Sequence, residues 1–259
     1  MTWPYRREKD FRGADLTGTD LSGADLSNAN LTGANLTGAN LTGANLTNAN
    51  LNNANLTGVN LTNADLRHAK LSDSDLSYAL LAGADLSDAD LNYTLLEYAN
   101  LIGANLIGVD LNGANLTSAD LTNTDLTRAD LSGADLMGAR MDGTDLTGAD
   151  LSGADLMGTR MDGTDLTGTD LSGADLVGAR FEKAIETLGL KYPLGADLTN
   201  ADLSRADLSG ANLTGANLNG VDLTDAKLYN ANLRSADLTG AKLYNANLRY
   251  TDLSGVNWN

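Results

Sequence analysis

The sequence predicts an all-β solenoid, a rod in which short extended segments turn a corner every five residues. A large apolar residue occupies every fifth position from Phe11 to Phe181, which makes 35 consecutive units, and again from Leu198 to Trp258, which adds 13. A small residue, usually Ala, lies two positions before nearly every one of these large residues. Of the 28 glycines, 26 lie two positions after one. A turn that recurs at so fixed a spacing is typical of a solenoid.

The five-residue period excludes the ordinary helix and the ordinary long strand. We call the large residue position i and its neighbours i−2 to i+2. On an α-helix five residues advance about 500°, so the large residues would form no stripe. In a long strand an odd period sends alternate large residues to opposite faces. In a short extended piece, i−2 and i point the same way, inward. Gly or Asn at i+2 suits the third residue of a type II turn, where φ is positive.

Units such as Ala34-Asn35-Leu36-Thr37-Gly38 resemble the pentapeptide-repeat family, whose repeat is A(D/N)LxX. The resemblance covers nearly the whole chain and implies a right-handed quadrilateral parallel β-helix, in which four units form one coil. The 48 units then imply about 12 coils and a rod roughly 58 Å long at about 4.8 Å per coil. A 20-residue coil is supported by residues 131–150 and 151–170, which match at 18 of 20 positions. Residues 223–237 and 238–252 form a second, 15-residue duplication.

We expect one β-helix over residues 11–259, with residues 1–10 forming an N-terminal cap that covers the first coil. The spacing of 17 residues between Phe181 and Leu198 shifts the register by two. This break predicts a loop at about 182–195 that projects from one continuous rod, and not a domain boundary. Such a loop is either a tolerated insertion or a contact for a partner.

The composition disfavours several classes of function. The net charge of −17 opposes direct binding to nucleic acid. No stretch approaches the roughly 20 apolar residues that span a bilayer, and the N-terminus lacks the pattern of a secretory signal, so we expect a cytoplasmic protein that does not bind membranes. The chain has no Cys and a single His, His68, at an outward position. We therefore expect no enzyme activity, no catalytic residue, no cofactor and no metal site.

The expected function is a rigid scaffold that binds a protein partner of unknown identity. Contiguous apolar surface on a soluble protein often marks an interaction site. Large apolar residues occupy outward positions that elsewhere hold Asp, Asn, Thr, Ser or Gly, at Tyr78, Leu80, Tyr93, Leu95, Tyr98, Ile102 and Ile107. Stacking of every fourth unit would place Tyr78 beside Tyr98. A second, mixed group of basic and aromatic residues comprises Lys227, Tyr229, Lys242, Tyr244, Arg249 and Tyr250.

The outward charges suggest an alternative function. With four units per coil, Asp columns form an acidic surface, and some pentapeptide-repeat proteins resemble DNA in this way and inhibit type II topoisomerases such as gyrase. This chain departs from them in two respects. Its central residues are almost all Leu instead of Phe, and no C-terminal helix that would form a dimer is evident. Arg140, Arg160 and Arg180 recur on one face, where they either relieve the acidic crowding or form a recognition stripe.

The C-terminal coil has Trp258 at position i. The Trp258 side chain either closes its own coil or contributes an end-to-end contact in a homodimer. The resemblance to several pentapeptide-repeat proteins implies the second arrangement.

Overall fold

The computed structural model describes residues 9–177, 179 and 198–259. Within these ranges each strand is a single residue at position i−1, and the pairing consists of parallel bridges that join each i−1 residue to the one four units later, from Asp10 with Asn30 to Asp237 with Asn257. No longer strand and no helix occurs in the described part of the chain. The predicted coil of four pentapeptides is therefore confirmed.

Each coil contributes one i−1 residue to each of four faces. Face 1 begins with Asp10, face 2 with Asp15, face 3 with Asp20 and face 4 with Asp25, and each face continues with the i−1 residue of every fourth unit. The side chains at i+1 and i+2 of one face form the edge that it shares with the next face. We number the coils from 1, at Asp10, to 12, at the C-terminus.

The parallel bridges continue across the break in the repeat. Asp170 pairs with Asp202 on face 1, and Asp175 pairs with Asp207 on face 2, so the spacing of 20 becomes 32 at this one point. The additional stretch of chain lies outside the described ranges, as do the projecting loop at about 182–195 and most of the N-terminal cap predicted for residues 1–10. Faces 1 and 2 therefore keep their identity from the first coil to the last.

The core is a stack of leucines with alanines between them. Every described central residue from Leu31 to Leu233 is at most 1% exposed, including Met141 and Met161. In the two terminal coils, central residues such as Phe11 and Leu253 are only partly buried, because each of these coils has a described neighbouring coil on one side alone. Burial of one Leu side chain contributes roughly 1.5–3 kcal/mol, and only stacking supplies it.

Backbone hydrogen bonds join each coil to its two neighbours. In units with a described coil on both sides, the N–H groups of i and i+2 donate to the following coil, and the N–H group of i−1 donates to the preceding coil. For the unit around Leu36 these bonds are Leu36 N–H to Asn55 O at 2.7 Å, Gly38 N–H to Thr57 O at 3.0 Å and Asn35 N–H to Ala14 O at 2.9 Å. Three inter-coil bonds per unit make each coil a template for the next.

The corners are the type II turns that the sequence predicts. The N–H group of each following i−2 residue donates to the carbonyl of i, as Ala39 does to Leu36 at 2.9 Å. The backbone at i+2 has positive φ in the described units, between 54° at Asp88 and 73° at Gly210 and Gly255. Non-glycine residues also adopt this conformation, including Tyr78, Tyr93 and Tyr98.

The Asp or Asn at i−1 satisfies the one remaining backbone donor of its unit. Its Oδ1 atom accepts from the N–H group of i+1, as Asn35 does from Thr37 at 3.1 Å, and the Thr37 hydroxyl donates to the same atom at 2.7 Å. Where Lys70 or Arg160 replaces the Asp or Asn at i−1, a side chain of the preceding coil accepts from the N–H group of i+1 instead. The Ser72 N–H group donates to Asn52 Oδ1 at 3.1 Å, and the Asp162 N–H group donates to Asp142 Oδ1 at 3.2 Å. The preference for Asp and Asn is therefore structural, because buried backbone donors require partners.

Candidate functional site

Two stacked tyrosines form the centre of the predicted partner-binding surface. The rings of Tyr78 and Tyr98 lie on consecutive coils, with centroids 5.1 Å apart and an interplanar angle of 10°. The two side chains are 58% and 53% exposed. Leu80 on face 3 and Leu95 on face 2 flank the same edge, and each is 43% exposed. We call these four residues the tyrosine cluster.

The other three residues predicted for this surface lie on other edges of the rod. By their repeat positions Tyr93 lies between faces 1 and 2, Ile102 between faces 3 and 4, and Ile107 between faces 4 and 1. All three side chains are exposed. The structure thus brings four of the seven predicted residues together, and it places Ile107 away from them.

The Tyr93 ring covers Gly113 in the following coil. A Cβ atom added to Gly113 would lie 2.5 Å from Tyr93 Cε1, whereas a Cβ atom added to Gly133, one coil later on the same edge, would meet nothing within 4 Å. Both glycines have a φ of about 63°.

Gly113→Ala and Gly133→Ala therefore form a matched pair of variants. We expect each to lose about 1–2 kcal/mol because Ala is strained in the left-handed region. Gly113→Ala should lose more, because the Tyr93 ring must move away, and a Tyr93→Ser background should abolish the difference. Urea denaturation followed by circular dichroism measures the free energies. Equal losses in the wild-type background would contradict the contact.

Four residues outside the seven predicted for the partner-binding surface lie on the same edge as Tyr78 and Tyr98. They are Met137, Met157, Tyr229 and Tyr250, with exposed fractions between 39% and 69%. All occupy i+1 or i+2 positions of face 2. We call the line formed by Tyr78, Tyr98, Met137, Met157, Tyr229 and Tyr250 the apolar edge. It carries six of the ten large apolar side chains that are exposed at corners in the described ranges.

The predicted basic and aromatic group divides between two edges. Tyr229 and Tyr250 pack edge to face with centroids 5.4 Å apart, and the Arg249 guanidinium lies 5.6 Å from the Tyr250 centroid. These three residues belong to the edge between faces 2 and 3, whereas Tyr244 lies between faces 1 and 2. Lys227 and Lys242 are bound to carboxylates of the preceding coil, Asp207 at 3.0 Å and Asp222 at 2.9 Å.

Aspartates follow one another along three faces. Face 2 carries Asp135, Asp155, Asp175 and Asp207 on four consecutive coils, face 1 carries Asp130, Asp150, Asp170 and Asp202, and face 4 carries Asp125, Asp145 and Asp165. At about 4.8 Å in water, neighbouring like charges repel by about 1 kcal/mol or less. No ion pair joins Asp135, Asp155 or Asp175 to a cation among the described residues, although Asp175 acts on Lys227 at longer range.

Face 3 carries a ladder of alternating charge. Arg140 lies 3.1 Å from Asp120 and 3.7 Å from Asp142, and Arg160 lies 3.2 Å from Asp142 and 3.3 Å from Asp162. The Asp142 and Asp162 side chains are largely buried, at 17% and 16% exposure. Arg180, the third member of the predicted stripe, lies outside the described residues. Arg140 and Arg160 thus neutralise the carboxylates of Asp120, Asp142 and Asp162 beside them. A recognition role for the arginine stripe stays a prediction.

Hydrogen bonds within the rod lower the pKa of several aspartates. At Asp222 the Thr224 side chain, the Lys242 ammonium and the Thr224 N–H group stabilise the charged form and lower the pKa from 3.8 to about 2. A carboxylate with a lowered pKa in the folded protein stabilises the fold above its unfolded pKa. This contribution is lost as the pH falls through the folded pKa.

We therefore expect the stability advantage of the wild type over Asp222→Asn to be present above about pH 4 and to disappear towards pH 2. Asn keeps an Oδ1 acceptor for the Thr224 N–H group, so the comparison isolates the charge. Thermal unfolding of both proteins between pH 5 and pH 2 measures the difference in midpoint. A difference independent of pH would mean that Asp222 titrates alike in the folded and unfolded chain.

The C-terminal coil leaves Trp258 47% exposed although it occupies a central position. The neighbouring central residues Leu248 and Leu253 are partly buried. An end-to-end homodimer through this coil stays a prediction, which the mass in light scattering tests.

The described residues contain no group of three or more His, Cys, Asp or Glu side chains that could hold a metal ion. Among them no helix is long and apolar enough to cross a membrane.

Comparison with known proteins identifies the repeat. A family model for pentapeptide repeats matches in eight copies, over residues 10–48, 39–77, 84–123, 114–153, 124–163, 149–185, 195–228 and 222–257. No curated protein sequence matches the chain.

Three solved structures are similar to the chain. HetL, a pentapeptide repeat protein involved in heterocyst differentiation regulation from the cyanobacterium Nostoc sp. strain PCC 7120, is 36% identical with a TM-score of 0.53, over 82% of this chain and 88% of HetL. QnrB1, a plasmid-mediated fluoroquinolone resistance protein, is 18% identical with a TM-score of 0.38, over 66% of this chain and 89% of QnrB1. Rfr23, a pentapeptide repeat protein from the cyanobacterium Cyanothece 51142, is 30% identical with a TM-score of 0.31, over 48% of this chain and 64% of Rfr23. Because the repeat model matches most of the chain and HetL is 36% identical over 82% of it, this chain belongs to the pentapeptide-repeat family and has that family's right-handed quadrilateral β-helix fold.

Proposed function

We propose that this protein is a non-enzymatic rigid scaffold that binds a protein partner through the tyrosine cluster. The observation that carries this proposal is the exposed stack of Tyr78 on Tyr98, flanked by Leu80 and Leu95. Elsewhere on the rod these positions hold mainly small or polar residues. Aromatic side chains dominate binding energy at protein interfaces, and contiguous exposed apolar surface often marks such an interface.

The fold supports the proposal because the cluster is held rigidly before any partner binds. Tyr78 and Tyr98 lie in turns whose backbone bonds join consecutive coils, with Tyr78 N–H donating to Glu97 O at 2.9 Å. Each ring also restricts the rotamers of the other. A preorganised surface loses little conformational entropy on binding, so more of its contact energy contributes to affinity.

Affinity capture from native lysate tests the proposal. The variant Tyr78→Asn/Leu80→Asn/Tyr98→Asn restores residues that the repeat favours at i+2 and i−1, so it should fold like the wild type. We expect a protein partner that the wild type retains and this variant loses. Ile102→Thr/Ile107→Thr is the matched control, because it removes exposed apolar residues from other edges and should retain the partner. Equal capture by wild type and the triple variant would refute the tyrosine cluster as the binding site.

The acidic columns favour one second candidate, a DNA-mimic regulator of a type II topoisomerase. Faces 1, 2 and 4 present aspartates on consecutive coils at about 4.8 Å, against about 3.4 Å between phosphates along a DNA strand. The aspartate columns therefore share the sign of the charge with a row of phosphates, but their interval is longer. A gyrase supercoiling assay with increasing protein tests this candidate: inhibition would support it, and unchanged supercoiling at excess protein would reject it.

A further inference from the structure

The apolar edge contains three clusters. Tyr78 and Tyr98 lie on coils 4 and 5, Met137 and Met157 on coils 7 and 8, and Tyr229 and Tyr250 on coils 11 and 12. Met157, the second residue of the middle cluster, lies three and a half coils from the centre of each tyrosine pair, which is about 17 Å at about 4.8 Å per coil. A ligand that contacts all three clusters must present apolar groups at this interval.

The size of the edge disfavours a second copy of the chain as its occupant. From coil 4 to coil 12 the edge is about 38 Å long, and it is one or two side chains wide, about 10 Å. Its area is therefore roughly 400 Å², about half of what each partner contributes to a standard stable interface. A narrow, elongated ligand fits this strip better than a second rod.

The spacing favours an α-helix over an extended segment. In an extended chain 17 Å corresponds to about five residues, and an odd number places successive side chains on opposite faces. In an α-helix 17 Å corresponds to about 11 residues, which make three turns and return the side chain to the same face. A helix that lies parallel to the rod can therefore contact all three clusters with one stripe.

The charges beside the middle cluster indicate the charge of this helix. Asp135, Asp155 and Asp175 flank the middle cluster on face 2, and none of them forms an ion pair within the described residues. On face 3, Arg140 and Arg160 are already bound to Asp120, Asp142 and Asp162. The uncompensated charge is therefore negative and lies on one side of the edge, where a ligand with Lys or Arg relieves the repulsion between the aspartates.

We propose that the apolar edge binds a basic amphipathic α-helix of the protein partner, with apolar residues about 11 positions apart and Lys or Arg beside the middle one. Such a helix spans the edge with about 26 residues. This inference rests on the proposed function and extends it, because it assigns the partner's secondary structure and adds Met137 and Met157 to the binding surface.

Two synthetic peptides, each of about 26 residues, test the helix with the full chain. The first carries three Leu at intervals of about 11 residues, with Lys around the middle Leu. The second has the same composition with the Leu at intervals of about nine residues, which places the middle one on the opposite side of the helix. Fluorescence anisotropy should show saturable binding of the first peptide and at least about tenfold weaker binding of the second. No binding of the first peptide, or equal binding of both, would overturn the proposal.

Variants of the protein locate the peptide on the edge. Met137→Thr/Met157→Thr places the common repeat residue at i+1, and Asp135→Asn/Asp155→Asn/Asp175→Asn keeps the Oδ1 acceptor for the turn. Both should weaken the first peptide about tenfold, and the aspartate variant should also remove most of the salt dependence. Ile102→Thr/Ile107→Thr should leave binding unchanged. An unchanged affinity in the methionine variant would refute the extended edge.

The same variants separate this inference from the proposed function. A lysate partner lost by the Tyr78/Leu80/Tyr98 variant but retained by the methionine variant would leave the scaffold proposal standing and overturn the helix along the edge. A partner retained by both variants would overturn the scaffold site itself.

Discussion

Replacing Leu116 by Asp is expected to unfold the middle of the rod. The Leu116 side chain is fully buried between two coils, in a core built mainly of leucines and alanines. The substitution loses the transfer free energy of Leu and places a carboxyl group in this apolar core. A loss of about 5 kcal/mol or more follows from these two terms together. Because each coil is the template for the next, the damage interrupts the stack on both sides.

Far-UV circular dichroism and limited proteolysis measure this effect, with Leu253→Asp as the control. Leu253 occupies the same central position in the last coil, but it is only partly buried and has a neighbouring coil on one side. Its substitution should open that coil alone and leave most of the ellipticity intact. If both variants lost the same amount of structure, the rod would behave as one cooperative unit instead of a sum of neighbouring contacts.

The second large effect is expected from reversing the charge of Arg160. The Arg160 guanidinium lies between Asp142 and Asp162, whose carboxylates are largely buried. Arg160→Glu places three carboxylates in one ladder, so we expect a loss of about 2–3 kcal/mol that added salt partly restores. Urea denaturation at low and high NaCl concentration measures both the loss and its recovery.

Arg128→Glu is the matched control for this charge reversal. Arg128 lies at an exposed corner and forms no ion pair within the described ranges. The same change in net charge should therefore cost less than about 0.5 kcal/mol there. Similar losses in the two variants would mean that net charge, and not the ladder on face 3, determines stability.

The sequence predicts this fold well because one short pattern is repeated 48 times. The inward direction of i−2 and i, the positive φ at i+2 and the stacking of every fourth unit all follow from the period and the residue types, and the structure confirms them. The role of the Asp or Asn at i−1 was missed, because a side chain that accepts from its own turn has the same composition as one that faces water. Only the hydrogen bond from Thr37 N–H to Asn35 makes the distinction.

The candidate site was only partly predictable. Tyr78, Leu80, Leu95 and Tyr98 are predicted because large apolar side chains replace polar ones at their outward positions, and the same criterion includes Ile107, which lies on a different edge. Met137 and Tyr229 also occupy outward positions, but the prediction does not join them to that surface because they lie far along the chain. The signal that places them on one edge is their position within the coil. A comparison of every fourth unit would have found Met137, and the bridges across the break, which show that the interruption adds no unit to the count, are needed to place Tyr229.

The two duplications in this chain have different geometric consequences, which follow from four units per coil. The 20-residue copy, residues 131–150 and 151–170, returns to the same face, so Met137 and Met157 line up along one edge. The 15-residue copy, residues 223–237 and 238–252, stops one face short of a full circuit. It therefore moves the side chain that is Tyr229 on one edge to Tyr244 on the adjacent edge. Copying by whole coils lengthens an existing binding stripe, whereas copying by other multiples of five distributes the same motif around the rod. In a chain of this kind, the length of a duplication decides whether evolution extends one surface or begins a new one.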